Sequence, residues 1–297
     1  VTHQPQAQPK GLQGATSQEQ HLVSPSQPQR VTDGLAAGIS RLARLSAEQL
    51  VVARHTCVAL LAGAVVWEVA GRVLRFSFLP PFSNVLRAAL QMIAGGQILG
   101  YLAASLASLG IGYGLAVVTG VTLGLLMGRY RTVEYVLEPY VNTFLASPKL
   151  VFVPILYAIF GVGRGVQVAV VFLSAFFIIV VNTRGGMRSV DGNWVEMARS
   201  FGASERQLFW KVLLPGALPV TMAGMRLGVG RAVKGMINGE MFIAVFGLGA
   251  LLREYGSRFD SERVLAILLV VIGVALICSF AVGTIERRII AWTEPGS

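Results

Sequence analysis

Residues 184–215 read RGGMRSVDGNWVEMARSFGASERQLFWKVLLP, a polar run between two long apolar ones. Hydrocarbon leaves backbone groups and charges without partners, so a run of this length has to emerge into water between two membrane spans. Residues 194–201 and 205–213 each read as a short amphipathic helix. Gly202 is free to take the φ > 0 turn between them, and Ser204 is placed to cap the second. Phe201, Leu208, Phe209 and Val212 are expected to make the apolar contacts, with Arg199, Arg206 and Lys211 on the polar face. The run reads as a docking loop; the plainer alternative is an amphipathic hairpin that lies on the surface without a partner.

Composition supports spans on either side. Of 297 residues, 54% are hydrophobic and 13% charged, a balance that belongs to helical membrane proteins. The net charge of +10 is scattered through apolar segments and their flanks, with no basic stripe interleaved with aromatics, so nucleic acid is not an expected partner. Cys57 and Cys278 fall in apolar runs and read as small buried hydrophobes. His3, His21 and His55 are too few and too scattered for a metal cluster or a catalytic triad, so no metal site and no catalytic residues are expected.

The chain divides as follows. Residues 1–32, rich in Gln, Pro and Ser, bury too little apolar area to order themselves and lack the apolar core of an export signal. Residues 33–46 read as an amphipathic helix lying at the membrane interface. Residues 47–297 read as a transmembrane domain with about six spans, near 47–69, 98–128, 133–160, 166–181, 218–245 and 262–285. With six spans, both termini and the 184–215 loop share one side, and their basic character assigns it to the cytoplasm.

Several features within the spans carry chemistry. Residues 71–97 read as irregular, and Arg72, Arg75 and Arg87 find no acidic partner there. Gly120, Gly124 and Gly128 have the spacing that lets helices approach closely, and Gly110, Gly112 and Gly114 read as packing too. Pro139, Pro148 and Pro154 should break the third span, and broken membrane helices line transport routes. Lys149 is either an interfacial anchor or a charge at depth. The fifth span bears Arg226, Arg231, Lys234, Asn238 and Glu240. Arg231 and Lys234 share a face near the midplane and either pair with Glu240 or a second copy of the chain, or line the route and favour an anion. Residues 247–260 read as an external loop of balanced charge.

The docking loop carries a resemblance. Glu196, Met197 and Ala198, three residues, Gly202, nine residues, then Val212, Leu213, Leu214 and Pro215 are similar to the EAA loop of the membrane subunits of bacterial ABC importers. Met197 for Ala and Val212 for Ile are the departures. The stretches 146–163 (ASPKLVFVPILYAIFGVG), 195–204 (VEMARSFGAS) and 214–219 (LPGALP) narrow it to permeases of the nitrate, sulfonate, taurine and bicarbonate class. The resemblance implies an all-α, type I (MetI-like) permease fold with a cytoplasmic coupling helix, in a bacterial inner membrane. It implies that Glu196, Ala198, Phe201, Gly202, Ala203, Ser204, Arg206, Phe209, Leu214 and Pro215 contact a separate ATPase subunit. Pro148, Pro154, Arg231, Lys234, Asn238 and Glu240 would then belong to the translocation pathway.

The resemblance also implies an extracytoplasmic solute-binding protein and a second permease copy as partners. ATP and Mg would be bound by the ATPase: no Lys here follows a Gly, so this chain has no Walker A loop and needs no cofactor of its own. A corner at Pro215 and Pro219 would pass motion to the fifth span. The rival from another class is an ion-coupled secondary transporter, which predicts inverted repeats and acids in several spans; the sequence has neither.

Overall fold

The computed structural model describes residues 54–74, 76–243 and 247–290, and every one of its elements is helical. The expected tail, the interfacial helix 33–46 and the start of the first span lie outside the described residues. Four of the helices are long and unbroken: α1 (Arg54–Leu74), α3 (Leu99–Arg129), α6 (Arg164–Arg188) and α11 (Ser261–Ile289). A fifth, Glu205–Phe242, runs through α8 (Glu205–Leu208), a widened turn (Phe209–Leu213) and α9 (Leu214–Ile243). These five are long and apolar enough to cross a membrane. The bent pair α4 (Arg131–Ala146) and Lys149–Phe160, whose axes differ by 100°, is either a sixth, broken span or a re-entrant segment; its last part is α5 (Val153–Phe160). Shorter helices are α2 (Phe82–Ala94), α7 (Gly192–Ser200) and α10 (Gly247–Ser257).

The core is built around α6, packed between α3 and α9. Small residues make this possible. A Cβ on Gly112 would lie 2.7 Å from the Val168 carbonyl oxygen, and one on Gly124 would lie 2.8 Å from that of Val180. Gly110 and Gly114, by contrast, face no neighbour, so only the middle glycine of that run is packing. In lipid the contact surface of tightly apposed backbones replaces the hydrophobic drive that water supplies elsewhere. Two polar ties fix the register. The Ser108 hydroxyl donates to Gln167 Oε1 at 2.8 Å between α3 and α6, and the Tyr113 hydroxyl donates to the Met225 carbonyl at 2.8 Å between α3 and α9.

Three segments differ from the sequence reading. The stretch after α1 is not irregular: α2 buries Val85, Ala89 and Met92 against α11. Arg72 does have an acidic partner, Glu68 one turn earlier at 2.6 Å, and the same carboxylate accepts the Ser83 amide at 2.8 Å, which opens α2. Residues 247–257 form α10, whose Leu248, Leu251 and Leu252 join the core, rather than an external loop. The fourth span does not end near 181: α6 stays helical to Arg188, because Arg184 and Arg188 find carboxylates on α4.

Candidate functional site

The hairpin after α6 is built almost wholly from local hydrogen bonds. Asp191 caps α7, its carboxylate accepting the Asn193 amide at 2.9 Å. At the other end Gly202 has φ 76°, and the Gly202 amide donates to the Arg199 carbonyl (2.9 Å) while the Ala203 amide donates to that of Ala198 (3.0 Å). That pair of bonds is the Schellman stop, which needs a left-handed residue after the helix and is frequently accompanied by an apolar contact between the residues three before and two after its cap. Gly202 is that residue, and Ala198 and Ala203 stand at the other two positions. Ser204 then starts α8 with a reciprocal capping box: its hydroxyl oxygen accepts the Gln207 amide and its own amide donates to Gln207 Oε1 at 2.9 Å.

Of the apolar residues expected to make contacts, Phe201 makes its own outward: it is 86% exposed, and with Trp194 and Met197 it forms an uncovered apolar ridge along α7. Leu208 is the residue that seals the hairpin, at 2% exposure. The corner expected at Pro215 and Pro219 does not interrupt the helix. The helix runs on from Glu205, and the amide that Pro215 lacks falls at the end of the widened turn Phe209–Leu213, where helical bonding is already relaxed.

Among the described residues one ion pair ties the hairpin to the bundle: Glu205 pairs with Arg129 at the end of α3 and, at 3.2 Å, with Arg199 on α7. The helix that the hairpin follows is braced separately, Glu134 of α4 being buried between Arg188 and Arg184 at the end of α6, and Arg184 reaching Glu138 at 2.6 Å. Glu196 and Arg206 stay exposed and make no ion pair among the described residues. A cavity of about 390 Å³ opens beside the tie, between Leu125, Arg129, Arg206, Phe209 and Trp210.

The second constellation lies where α4 breaks. Of the three prolines, Pro139 sits inside α4 and Pro154 in the first turn of α5, where a missing amide is harmless; the bend falls at Ser147 and Pro148. The carbonyls freed there do not go unpaired. Lys149 Nζ donates to those of Phe144 (2.7 Å), Leu145 (2.6 Å) and Ser147 (2.9 Å), which uses all three of its hydrogens. A cavity of about 430 Å³ beside the bend is lined by Lys149, Ser174, Arg231, Lys234 and Asn238. On α9 these last three lie on the face turned away from the core, while Ala232, Val233 and Met236 are buried on the other.

Glu240 does not join them. It is fully buried on the opposite face, and its Oε2 accepts the Gly249 amide at 2.9 Å, capping the start of α10. Of the readings open for Arg231 and Lys234, a pairing with Glu240 is not made among the described residues, because the α10 backbone has claimed the carboxylate. Gly247, with φ 79°, and Gly249 leave the room this requires. Sequence reasoning missed Asp191, Arg129, Glu134 and Ser174. Asp191 was findable as an N-cap ahead of the helix, whereas the others depend on partners far away in the chain.

The model of the family described as binding-protein-dependent transport system inner membrane component matches residues 120–291. The taurine transport system permease protein of Escherichia coli (strain K12) is 31% identical over 221 residues, covering 72% of this chain and 80% of that one. A putative aliphatic sulfonates transport permease protein of Bacillus subtilis (strain 168) is 27% identical, covering 76% and 83%. Among solved structures, an inward-facing methionine ABC transporter superposes with a TM-score of 0.56 at 21% identity, over 65% of this chain and 95% of that one, a likeness of fold.

Proposed function

The chain belongs to the binding-protein-dependent transport system inner membrane component family, and on that premise we propose that it forms the route for a small anionic solute in an ATP-driven importer. As the multi-pass membrane component of an ABC system it is not the subunit that hydrolyses ATP; an ATPase and a solute-binding protein are its partners. The hairpin carries the proposed coupling. Trp194, Met197 and Phe201 form an apolar ridge on a short helix at the end of the bundle, joined through the Gly202 turn to α8, which Glu205 ties back and which runs on into α9. An exposed apolar ridge with a charged surround is what a groove on a partner subunit would cover. This reading places the hairpin, the end of α11 and both termini in the cytoplasm, with two copies of the chain around the route.

The anionic preference rests on α9. A cation at mid-depth facing hydrocarbon costs roughly 3 kcal/mol on insertion scales, so a face bearing both Arg231 and Lys234 belongs against water or a partner, not lipid. The sulfonate transport named for the Bacillus subtilis relative points the same way. The direct test is co-purification of the tagged chain with its ATPase. Wild type should retain the ATPase, and Phe201→Asp should lose it by tenfold or so while still inserting in the membrane. Undiminished ATPase retention by Phe201→Asp would refute the docking assignment.

A further inference from the structure

The cavity at the α4 break holds more positive charge than anything around it balances. Lys149 is engaged by the three carbonyls of the broken helix, so it neutralises their negative end and offers no free hydrogen. Arg231 and Lys234 keep all of theirs. Among the described residues neither has a carboxylate partner, and the acid nearest along the helix, Glu240, is held at Gly249 on the far face. The depth follows from packing: Gly235 abuts Ser174, the eleventh of the 25 residues of α6, and Gly239 abuts Val170 at 3.2 Å. Two uncompensated cations therefore face a cavity halfway along the bundle.

We propose that the permease has its own anion-binding site there, in which Arg231 and Lys234 hold the oxyanion head of a small organic anion. This rests on the reading of the chain as a solute route, and it adds that charge selection is built into the permease and is not left to the binding protein alone. The guanidinium supplies a planar pair of donors suited to a sulfonate or carboxylate, and the ammonium a point charge beside it. Asn238 offers a neutral donor and acceptor on the same face. Ser174 is turned the other way, its hydroxyl donating to the Val170 carbonyl at 2.7 Å, so it presents its oxygen lone pairs and little else. Val170, Leu150 and Pro148 give the wall its apolar part, and Ser147, whose hydroxyl donates to the Thr143 carbonyl, completes it. About 430 Å³ accommodates such a head with a short aliphatic tail.

The probe pair is ethanesulfonate and ethanesulfonamide, alike in shape and different in charge. The full chain in nanodiscs of zwitterionic lipid is titrated with each, and saturation transfer to the ethyl protons is followed by NMR. Ethanesulfonate should give a saturable signal and ethanesulfonamide none. R231Q/K234Q should weaken binding by roughly tenfold or more, R231K by only a few-fold, and N238L, a milder change if the double variant folds poorly, by a few-fold. Equal signals from the two probes, unchanged binding by R231Q/K234Q, or no saturable signal from wild type would each overturn the site. ATPase retention is measured on the same preparations. A chain that holds its ATPase but shows no sulfonate signal defeats this site alone, whereas failure to hold the ATPase counts against the transport reading itself.

Discussion

Gly202 shows how one residue decides whether the hairpin exists. Its φ of 76° places it in the left-handed region, where a β-branched side chain is strained by about 1–2 kcal/mol, and the same residue gives one of the two amides of the Schellman stop. A Cβ there meets nothing within 4 Å, so the obstacle is backbone conformation and not crowding. Gly202→Val should therefore leave the transmembrane bundle folded and inserted while tilting α7 away from α8. ATP-dependent uptake into vesicles would fall at least tenfold, and Gly202→Asn, which tolerates the left-handed region, would keep most of it. Normal uptake by Gly202→Val would mean that the turn is not needed for coupling. Glu240 makes a different point at the same scale. A lone acid in a span reads as a partner for nearby cations, yet the carboxylate serves the first turn of α10, a contact that only the folded chain reveals.

At the scale of elements, what was legible in the sequence is what the chain decides locally. The hairpin could be placed because Gly202, Ser204 and Gln207 bond within a few residues of one another. The long spans were legible from hydrophobic length, and the packing glycines from their spacing of four. The bend was harder: three prolines look alike, and only Lys149, folding back on the freed carbonyls, singles out Pro148. α10 was hidden because Gly247, Gly249 and Gly256 suggest a loop, although Leu248, Leu251 and Leu252 have helical spacing. The ties between elements were not legible at all. Arg129 meets Glu205 across 76 residues and Arg188 meets Glu134 across 54. The second tie has a measurable consequence. Glu134 is buried between Arg184 and Arg188, and removing one partner of a buried ion cluster typically costs about 3 kcal/mol because it leaves charge uncompensated. Glu134→Ala should lower the thermal melting point in detergent by several degrees, whereas Glu138→Ala, at a half-buried position, should lower it by less. Equal effects would show that burial at the α4 and α6 junction is not what matters.

For the molecule as a whole, the decisive feature is that the hairpin and the cavity share one helix. From Glu205 to Phe242 the chain is helical for 38 residues, with α8, the second arm of the hairpin, at one end and Arg231, Lys234 and Asn238 in its second half. A motion passed from α7 through the Gly202 turn to α8 would thus reach the cavity as a displacement of one continuous helical rod. Coupling of this kind needs an element with two positions that both ends bias, and α9, packed on α6 along closely fitting glycines, is suited to shift as a body. The widened turn Phe209–Leu213 is the weakest part of the rod, since its bonding is already loosened. Two glycines inserted after Leu213 should break the mechanical connection and leave its ends intact. The variant should still co-purify with the ATPase, because α7, Gly202 and the capping box are untouched, and should still bind ethanesulfonate, because the cavity is untouched. What it should lose is communication: ATP hydrolysis in proteoliposomes would no longer rise on addition of loaded binding protein, and uptake would drop to background. Stimulation that survives the insertion would show that the signal reaches the route by another path, through the Glu205 tie to α3 being the first to examine.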